Sequence, residues 1–379
     1  MIQIERTIYK QIDKQLFKGK VIVVYGARRV GKTFLMKQIL QNYPKGKYIN
    51  CELLQNQIPL ETTNTELLIN FFGETTPLVI LDEAQHIQNI GMILKVLVDT
   101  FPNIQFIATG SSSFELGNKI SEPLTGRSRV FQLFPLSFEE IISNAGIVNA
   151  KAQLETILRY GSYPEVHFMS EKDSTQELNN ISSNYLYRDI LQFENIKKPE
   201  LVKNLLIALA LQIGNELSYN ELANMLGQNV HIIKKYLDLL EKSFVIFRLT
   251  PFSRNLRNEI GKGQKIYFYD LGIRNALIRN FNPLILRQDV GQLWENFVIL
   301  ERYKLINNNI RFVNTYYWRT YAQKEIDLVE EESGVLNAYE CKYNPNARFS
   351  FPKEFADAYP QSNYEVIHNE NFWKFLITK

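Results

Sequence analysis

The feature that most limits what this chain can fold into is the run Gly26-Ala27-Arg28-Arg29-Val30-Gly31-Lys32-Thr33. It fits the spacing G-x-x-x-x-G-K-[ST], and its flanks give the match its meaning. Val21–Tyr25 (VIVVY) leads in, apolar throughout, as expected of a strand buried on both faces of a parallel sheet. Thr33–Leu40 (TFLMKQIL) leaves with helical periodicity. In that order, the backbone N–H groups of the loop close around a phosphate, and the helix N-terminus adds partial positive charge. A chance glycine-rich turn would need neither flank. Pro77–Leu81 (PLVIL) and Ile104–Ala108 (IQFIA) supply two more apolar strands, with a helical segment at Ile90–Thr100 between them. The alternation predicts an α/β domain, a parallel sheet with helices on both faces.

The chemistry expected of this loop assigns roles to its residues. Lys32 reaches the β- and γ-phosphates and the Thr33 hydroxyl ligates Mg²⁺, while Gly26, Ala27, Arg28, Arg29, Val30, Gly31 and Phe34 complete the nucleotide-binding set. The strand Pro77–Leu81 runs into Asp82 and Glu83. Asp82 is expected to hold the water shell of Mg²⁺, and Glu83 to act as the general base that polarises the attacking water. Ala108-Thr109-Gly110-Ser111-Ser112-Ser113 ends the next strand in hydroxyls, with Ser111 the first choice to lie beside the γ-phosphate and Thr109 the second. A serine-rich turn is the plain alternative. Arg127 and Arg129, in LTGRSRVFQLFPLSFEE, read either as cations for transition-state charge or as surface charges.

Composition bounds the rest. A length of 379 residues predicts two or three domains, and 45% hydrophobic with 22% charged residues excludes disorder as the dominant state. A net charge of +3 means that any nucleic-acid contact needs a local patch. Cys51 and Cys341 are too few for a disulfide scaffold, and His86, His167, His231 and His368 are too scattered for zinc. The first twenty residues hold no uninterrupted apolar segment, so no signal peptide is expected. Leu205–Gly214 falls short of the roughly 20 residues that cross a bilayer. A cytoplasmic protein without membrane contact is the expectation.

GARRVGKT, PLVILDEAQ, ATGSSSFEL, LTGRSRVFQLFPLSFEE, the turn Gly161-Ser162-Tyr163-Pro164-Glu165, LWENFV and WRT…EIDLV…ECK together resemble the prokaryotic AAA-type ATPases whose C-terminal part is a domain of unknown function. The resemblance implies a P-loop ATPase module, a winged-helix segment and a nuclease-like C-terminal fold. It makes Asp82 and Glu83 the Walker B pair and Ser111 the sensor hydroxyl. It also marks Arg127 as a phosphate-sensing candidate, acting on its own site or on a neighbouring copy's.

The middle of the chain follows a different pattern. Ser218 with Glu221 reads as a capping box, Gly227-Gln228-Asn229 as a turn, and Val230, Ile233, Tyr236, Leu237 and Leu240 as one helix face. His231, Lys234 and Lys235 point the other way, and Phe244–Phe252 is strand-like. Helix-turn-helix plus strand predicts a winged helix whose second helix enters a major groove. Ile246–Lys265 carries Arg248, Arg254, Arg257, Lys262 and Lys265 against Glu259 alone, a basic excess that follows a phosphate backbone or is merely solvated.

Toward the C-terminus, Asp327 lies in the strand-like Lys324–Val329, and the next strand carries Glu340-Cys341-Lys342. Alternation puts Glu340 and Lys342 on one face. Two carboxylates and an ammonium so gathered suit a Mg²⁺-dependent phosphodiesterase, with salt-bridged hairpin acids as the alternative. The pattern resembles the PD-(D/E)XK nuclease core, which implies Glu295 as the helix acid and Glu295, Asp327 and Glu340 as metal ligands with Lys342 beside them.

The chain is therefore expected to divide into an ATPase domain at 1–160, a helical lid at 161–200, a winged helix at 201–261 and a nuclease-like α+β domain at 262–379. The expected activity is Mg²⁺-dependent ATP hydrolysis coupled to conformational change, acting on double-stranded DNA. The alternatives are a metal-dependent nuclease gated by ATP and a nucleotide-dependent switch that binds protein. ATP, ADP and Mg²⁺ are the expected ligands, with a homo-oligomer or a protein partner completing the assembly.

Overall fold

The apolar runs of the first third form five strands: β1 (Val21–Tyr25), β2 (Lys47–Asn50), β3 (Leu78–Asp82), β4 (Gln105–Gly110) and β5 (Ser128–Gln132). They make a wholly parallel sheet in the order β2-β3-β4-β1-β5. Every residue of β1, β3 and β4 is buried, which is why their sequences read as continuous apolar runs rather than as alternation. Helix Ile90–Thr100 turns Ile93, Leu94 and Leu97 into the same core as Val79, Leu81 and Phe106. The structure, a computed structural model, describes residues 4–111, 117, 120, 122–185, 199–253, 263–320 and 322–378. Among the described residues no helix is long and apolar enough to cross a membrane.

The chain splits into two compact units, one of residues 1–135 with 242–244, the other of residues 136–241 with 245–379. Residues 136–160, which the sequence reading attaches to the ATPase domain, thus lie in the second unit. That unit holds a six-stranded mixed sheet, β11-β10-β9-β8-β6-β7. Its strands are β6 (Ile246–Pro251), β7 (Lys265–Phe268), β8 (Asn314–Arg319), β9 (Glu325–Glu332), β10 (Val335–Cys341) and β11 (Asn363–Ile367). β6 pairs antiparallel with β7 and parallel with β8, through Thr250 opposite Tyr316. The strand expected to end the winged helix is therefore continuous with the sheet built from β8, β9, β10 and β11. Local composition cannot reveal such a pairing, because hydrogen bonds between distant strands leave no mark at the boundary in sequence.

Helix Phe138–Ala145 starts with a full capping box, Ser137 Oγ accepting from Glu140 N and the Glu140 carboxylate accepting from Ser137 N. Ser218 accepts from Glu221 N at 3.2 Å in the box expected there. The Gly161–Glu165 turn has a packing origin. Gly161 has φ +73°, and a Cβ there would lie 2.1 Å from Asp270 Oδ1. Asp270 in turn accepts from Ser162 N at 2.7 Å and from Ile273 N at 3.0 Å, so it ties this turn to helix Leu271–Leu277.

Near that helix Asp289 lies between two buried guanidiniums. Arg287 donates to it through Nε and Nη2 at 2.8 Å each, and Arg274 pairs with it through Nη1. Burial pushes the Asp289 carboxyl up, but Arg287 and Arg274 outweigh it and hold the group at about 2, below its ordinary 3.8. A depressed folded pKa contributes stability above the unfolded value and loses it as pH falls through the folded one. Asp289→Ala should therefore lower unfolding free energy by about 3–5 kcal/mol at neutral pH, by leaving buried cations unpaired. Urea midpoints measured from pH 7 down to pH about 2 should converge for the variant and the wild type.

Candidate functional site

The loop between β1 and helix Lys32–Gln41 lies at the C-terminal edge of the parallel sheet, where the strand tips of β3 and β4 also end. Gly26 sits against the backbone, since a Cβ would fall 2.3 Å from Leu133 O. No other residue fits there. Val30 is fully buried beneath the loop, Arg28 and Arg29 are half-buried along it, and Phe34 is exposed on the first turn of the helix. Lys32 is nested in the loop, its Nζ donating to Gly26 O at 2.9 Å and Ala27 O at 3.2 Å. The same ammonium lies 3.6 Å from Glu83 Oε1. Arg6, which the sequence reading missed, braces the loop by donating to Val30 O at 2.7 Å and to Phe134 O at 2.6 Å.

Asp82 is the hub. Thr33 Oγ1 donates to Asp82 Oδ2 at 2.7 Å, Tyr48 donates to the same oxygen, and Thr109 donates to Oδ1. Three hydroxyls, from the helix start, β2 and β4, thus hold one carboxylate at the tip of β3. The Tyr48 phenol is pushed far above its ordinary range by burial and by Asp82. Nothing in the local sequence marks Tyr48; only the parallel pairing of β2 with β3, Asn50 opposite Asp82, brings it there.

Glu83 occupies the left-handed region at φ 55°, an uncommon conformation for a residue with a side chain. Its N–H donates to Thr109 Oγ1 at 3.0 Å, which pins the turn to the neighbouring strand. Gln85 Nε2 donates to Glu83 Oε2 at 2.6 Å and to Ser111 Oγ at 3.4 Å. Ser111 and Thr109 are both buried. Thr109 bonds to Asp82 and to the Glu83 N–H, and Ser111 accepts from Gln85, which also donates to Glu83. Ser112 and Ser113 lie outside the described residues.

Arg127 stands apart from the loop. Its carbonyl accepts from Val21 N, so it stands at the N-terminal edge of the sheet, opposite the loop edge. The five residues of β1, at about 3.3 Å each, put it roughly 16 Å away from the loop. Its guanidinium is spent on Asp99, with Nε 2.8 Å from Oδ1. Arg129, paired opposite Ile22, is exposed in the same half of the sheet. In a parallel sheet a residue just before a strand and one just after it fall at opposite edges, so Arg127 does not reach its own nucleotide site.

Residues 18–142 match a family model described as an AAA domain. Residues 151–284 and 290–373 match two domains of unknown function, DUF8612 and DUF4143. An uncharacterised protein of Mycobacterium tuberculosis is 28% identical over 336 residues, covering 88% of this chain and 72% of that one. Another, of Methanocaldococcus jannaschii, is 29% identical over 320 residues, covering 78% and 69%. Among solved structures, a Walker-type ATPase of Pyrococcus abyssi superposes with a TM-score of 0.52 at 17% identity, over 73% of this chain and 96% of that one. At that identity the likeness concerns the fold, which is that of a P-loop ATPase. The loop, the Asp82-Glu83 tip and the Thr109 hydroxyl all fall within the matched AAA domain.

The C-terminal acids meet a cation that the sequence reading had placed elsewhere. Lys265, counted there in a basic tract, is buried on β7 with Nζ 2.9 Å from Glu295 Oε1 and 3.6 Å from Asp327 Oδ1, and it pairs with Glu325. Burial works against its charge, but Glu295, Asp327 and Glu325 outweigh it and raise its pKa. Tyr267 OH donates to Glu295 Oε1 at 2.7 Å, and Cys341 N donates to Asp327 Oδ2 at 2.9 Å. Lys342 pairs with Glu340 Oε1 at 2.6 Å, as the shared strand face predicts, while Glu340 Oε2 is buried without a hydrogen-bond partner. Burial and the neighbouring Asp327 raise both the Glu295 and Glu340 carboxyls. Among the described residues, no three His, Cys, Asp or Glu side chains are grouped so as to hold a metal ion, and the Lys265 ammonium stands beside Glu295 and Asp327.

Two members of the basic tract are held in ion pairs. Arg248 pairs with Glu241 and with Asp238 Oδ1 at 2.7 Å, and Lys265 is enclosed by acids, so neither is available to a phosphate backbone. Arg254, Arg257, Glu259 and Lys262 lie outside the described residues.

Proposed function

We propose that the protein is a Mg²⁺-dependent ATP hydrolase that couples hydrolysis to conformational change. The observation that carries this is the convergence of Lys32, Thr33, Asp82 and Glu83 at one sheet edge, with Asp82 and Thr33 already 2.7 Å apart. A hydroxyl and a carboxylate side by side suit a hard divalent cation, which Thr33 and Asp82 would hold and which would supply neutralisation of phosphate charge. Lys32 would exchange the carbonyls of Gly26 and Ala27 for phosphate oxygens, which relaxes its hold on Glu83. Glu83, oriented by Gln85 and by the Thr109 anchor, would then take a proton from the attacking water. The test is steady-state ATP hydrolysis by wild-type protein, with and without duplex DNA, against Lys32→Ala as blank. Hydrolysis no faster than the blank would sink the proposal.

Duplex DNA is one partner for the second unit. Helices Tyr219–Met225 and Val230–Lys242 followed by the β6–β7 pair support the winged-helix reading, with His231 and Lys234 exposed on the second helix. The enclosure of Arg248 and Lys265 favours the other reading, a nucleotide-driven switch that docks on protein. Stimulation of hydrolysis by DNA, weakening as salt rises, selects the first; a DNA-indifferent rate selects the second.

As a transition-state cation Arg127 would have to serve a neighbouring copy. On that reading, specific activity rises with protein concentration, and Arg127→Ala abolishes the rise while leaving ATP affinity within about threefold. A concentration-independent rate would limit Arg127 to its Asp99 pair.

A further inference from the structure

The resemblance to a nuclease core implies a divalent cation among Glu295, Asp327 and Glu340. We propose instead that the Lys265 ammonium fills that position, so that the second unit carries its cation covalently and takes up no divalent ion there. Lys265 is 1% exposed and touches acids from two elements, Glu295 on helix Val290–Asn308 and both Glu325 and Asp327 on β9. The face of Tyr317 lies 5.7 Å from the ammonium.

Spacing argues against sharing the position. Mg²⁺ draws oxygens to about 2.0–2.1 Å in an octahedron, whereas an ammonium holds them at roughly 2.7–2.9 Å. Carboxylates spread around Lys265 therefore stand too wide for the smaller ion. Other bonds are also committed: Tyr267 OH occupies Glu295 Oε1, Cys341 N occupies Asp327 Oδ2, and Lys342 holds Glu340 Oε1. The cluster ties β7, the long helix and β9 together instead of activating water. Lys342 keeps its pairing with Glu340.

The experiment is Mn²⁺ binding by the full chain without nucleotide, read by the loss of free-ion electron spin resonance signal. Wild type and Asp327→Asn are expected to bind equal amounts, whatever the nucleotide site contributes. Lys265→Ala is expected to gain one further ion, and Lys265→Ala/Asp327→Asn to lose it again. Asp327-dependent binding by wild type overturns the proposal, as does a folded Lys265→Ala that gains no ion. Should Lys265→Ala not fold, thermal midpoints decide. A wild-type midpoint that millimolar Mn²⁺ moves no more than that of Glu295→Gln supports the built-in cation, and a rise seen only in wild type overturns it.

Discussion

Glu83→Gln should bind ATP with an affinity within about threefold of wild type yet turn it over at least ~100-fold more slowly. The substitution keeps the side chain's shape and its carbonyl can still accept from Gln85, which donates at 2.6 Å. It removes only the negative oxygen that takes a proton, and a positioned general base typically contributes about 10²–10⁴ in rate. The turn itself should survive, because the Glu83 N–H bond to Thr109 is made by the backbone. Single-turnover hydrolysis with equilibrium nucleotide binding separates the two effects. Near-normal turnover would remove Glu83 from the role of base, leaving it its contacts with Lys32 and Gln85.

Lys32→Ala should act on the other half of the cycle. The ammonium is buried and enclosed by the carbonyls of Gly26 and Ala27, so it is held in place before any phosphate arrives. A charge-assisted hydrogen bond of this kind is worth about 1.5–3 kcal/mol, which corresponds to a loss of roughly 10- to 150-fold in ATP affinity. The loss should show as weaker equilibrium binding of ATP and of ADP, with an unfolding midpoint close to that of wild type. Unchanged ADP affinity would mean that Lys32 contacts only the terminal phosphate. The two variants together distinguish a site that fails to bind from one that binds and fails to react.

How much of this site was legible without coordinates depends on how far its parts are separated along the chain. Gly26–Thr33 is contiguous, and its geometry follows from the strand before it and the helix after it. Asp82 and Glu83 were legible because an apolar strand that ends in acids has one plausible place in a parallel α/β sheet. Thr109 and Ser111 are legible as a pair at the end of one strand. Which hydroxyl meets Asp82 depends on the register of β3 against β4, with Leu81 opposite Ala108. Tyr48 and Arg6 had no signal at all, since each acts across a distance set only by packing.

The second unit shows the same division. Glu295, Asp327 and Glu340 were legible as a set, and burial together with the neighbouring Asp327 raises the Glu295 and Glu340 carboxyls. Lys265 was visible too, but as a surface charge. Its pairing with β6 turns it inward among the acids, and so changes both what the basic tract can bind and what the acids can hold.

By itself, the sequence determined the elements that depend on neighbouring residues: the phosphate loop, the buried parallel strands, the helix start at Ser218, and the identity of the acids. The tertiary structure alone decided which side chains from separate strands share a point. It placed Arg127 at the far sheet edge, Lys265 in the acid cluster, and β6 within the C-terminal sheet. Backbone periodicity is written in adjacent residues, whereas strand order and register arise from the whole core, and they set where each charge meets its partner.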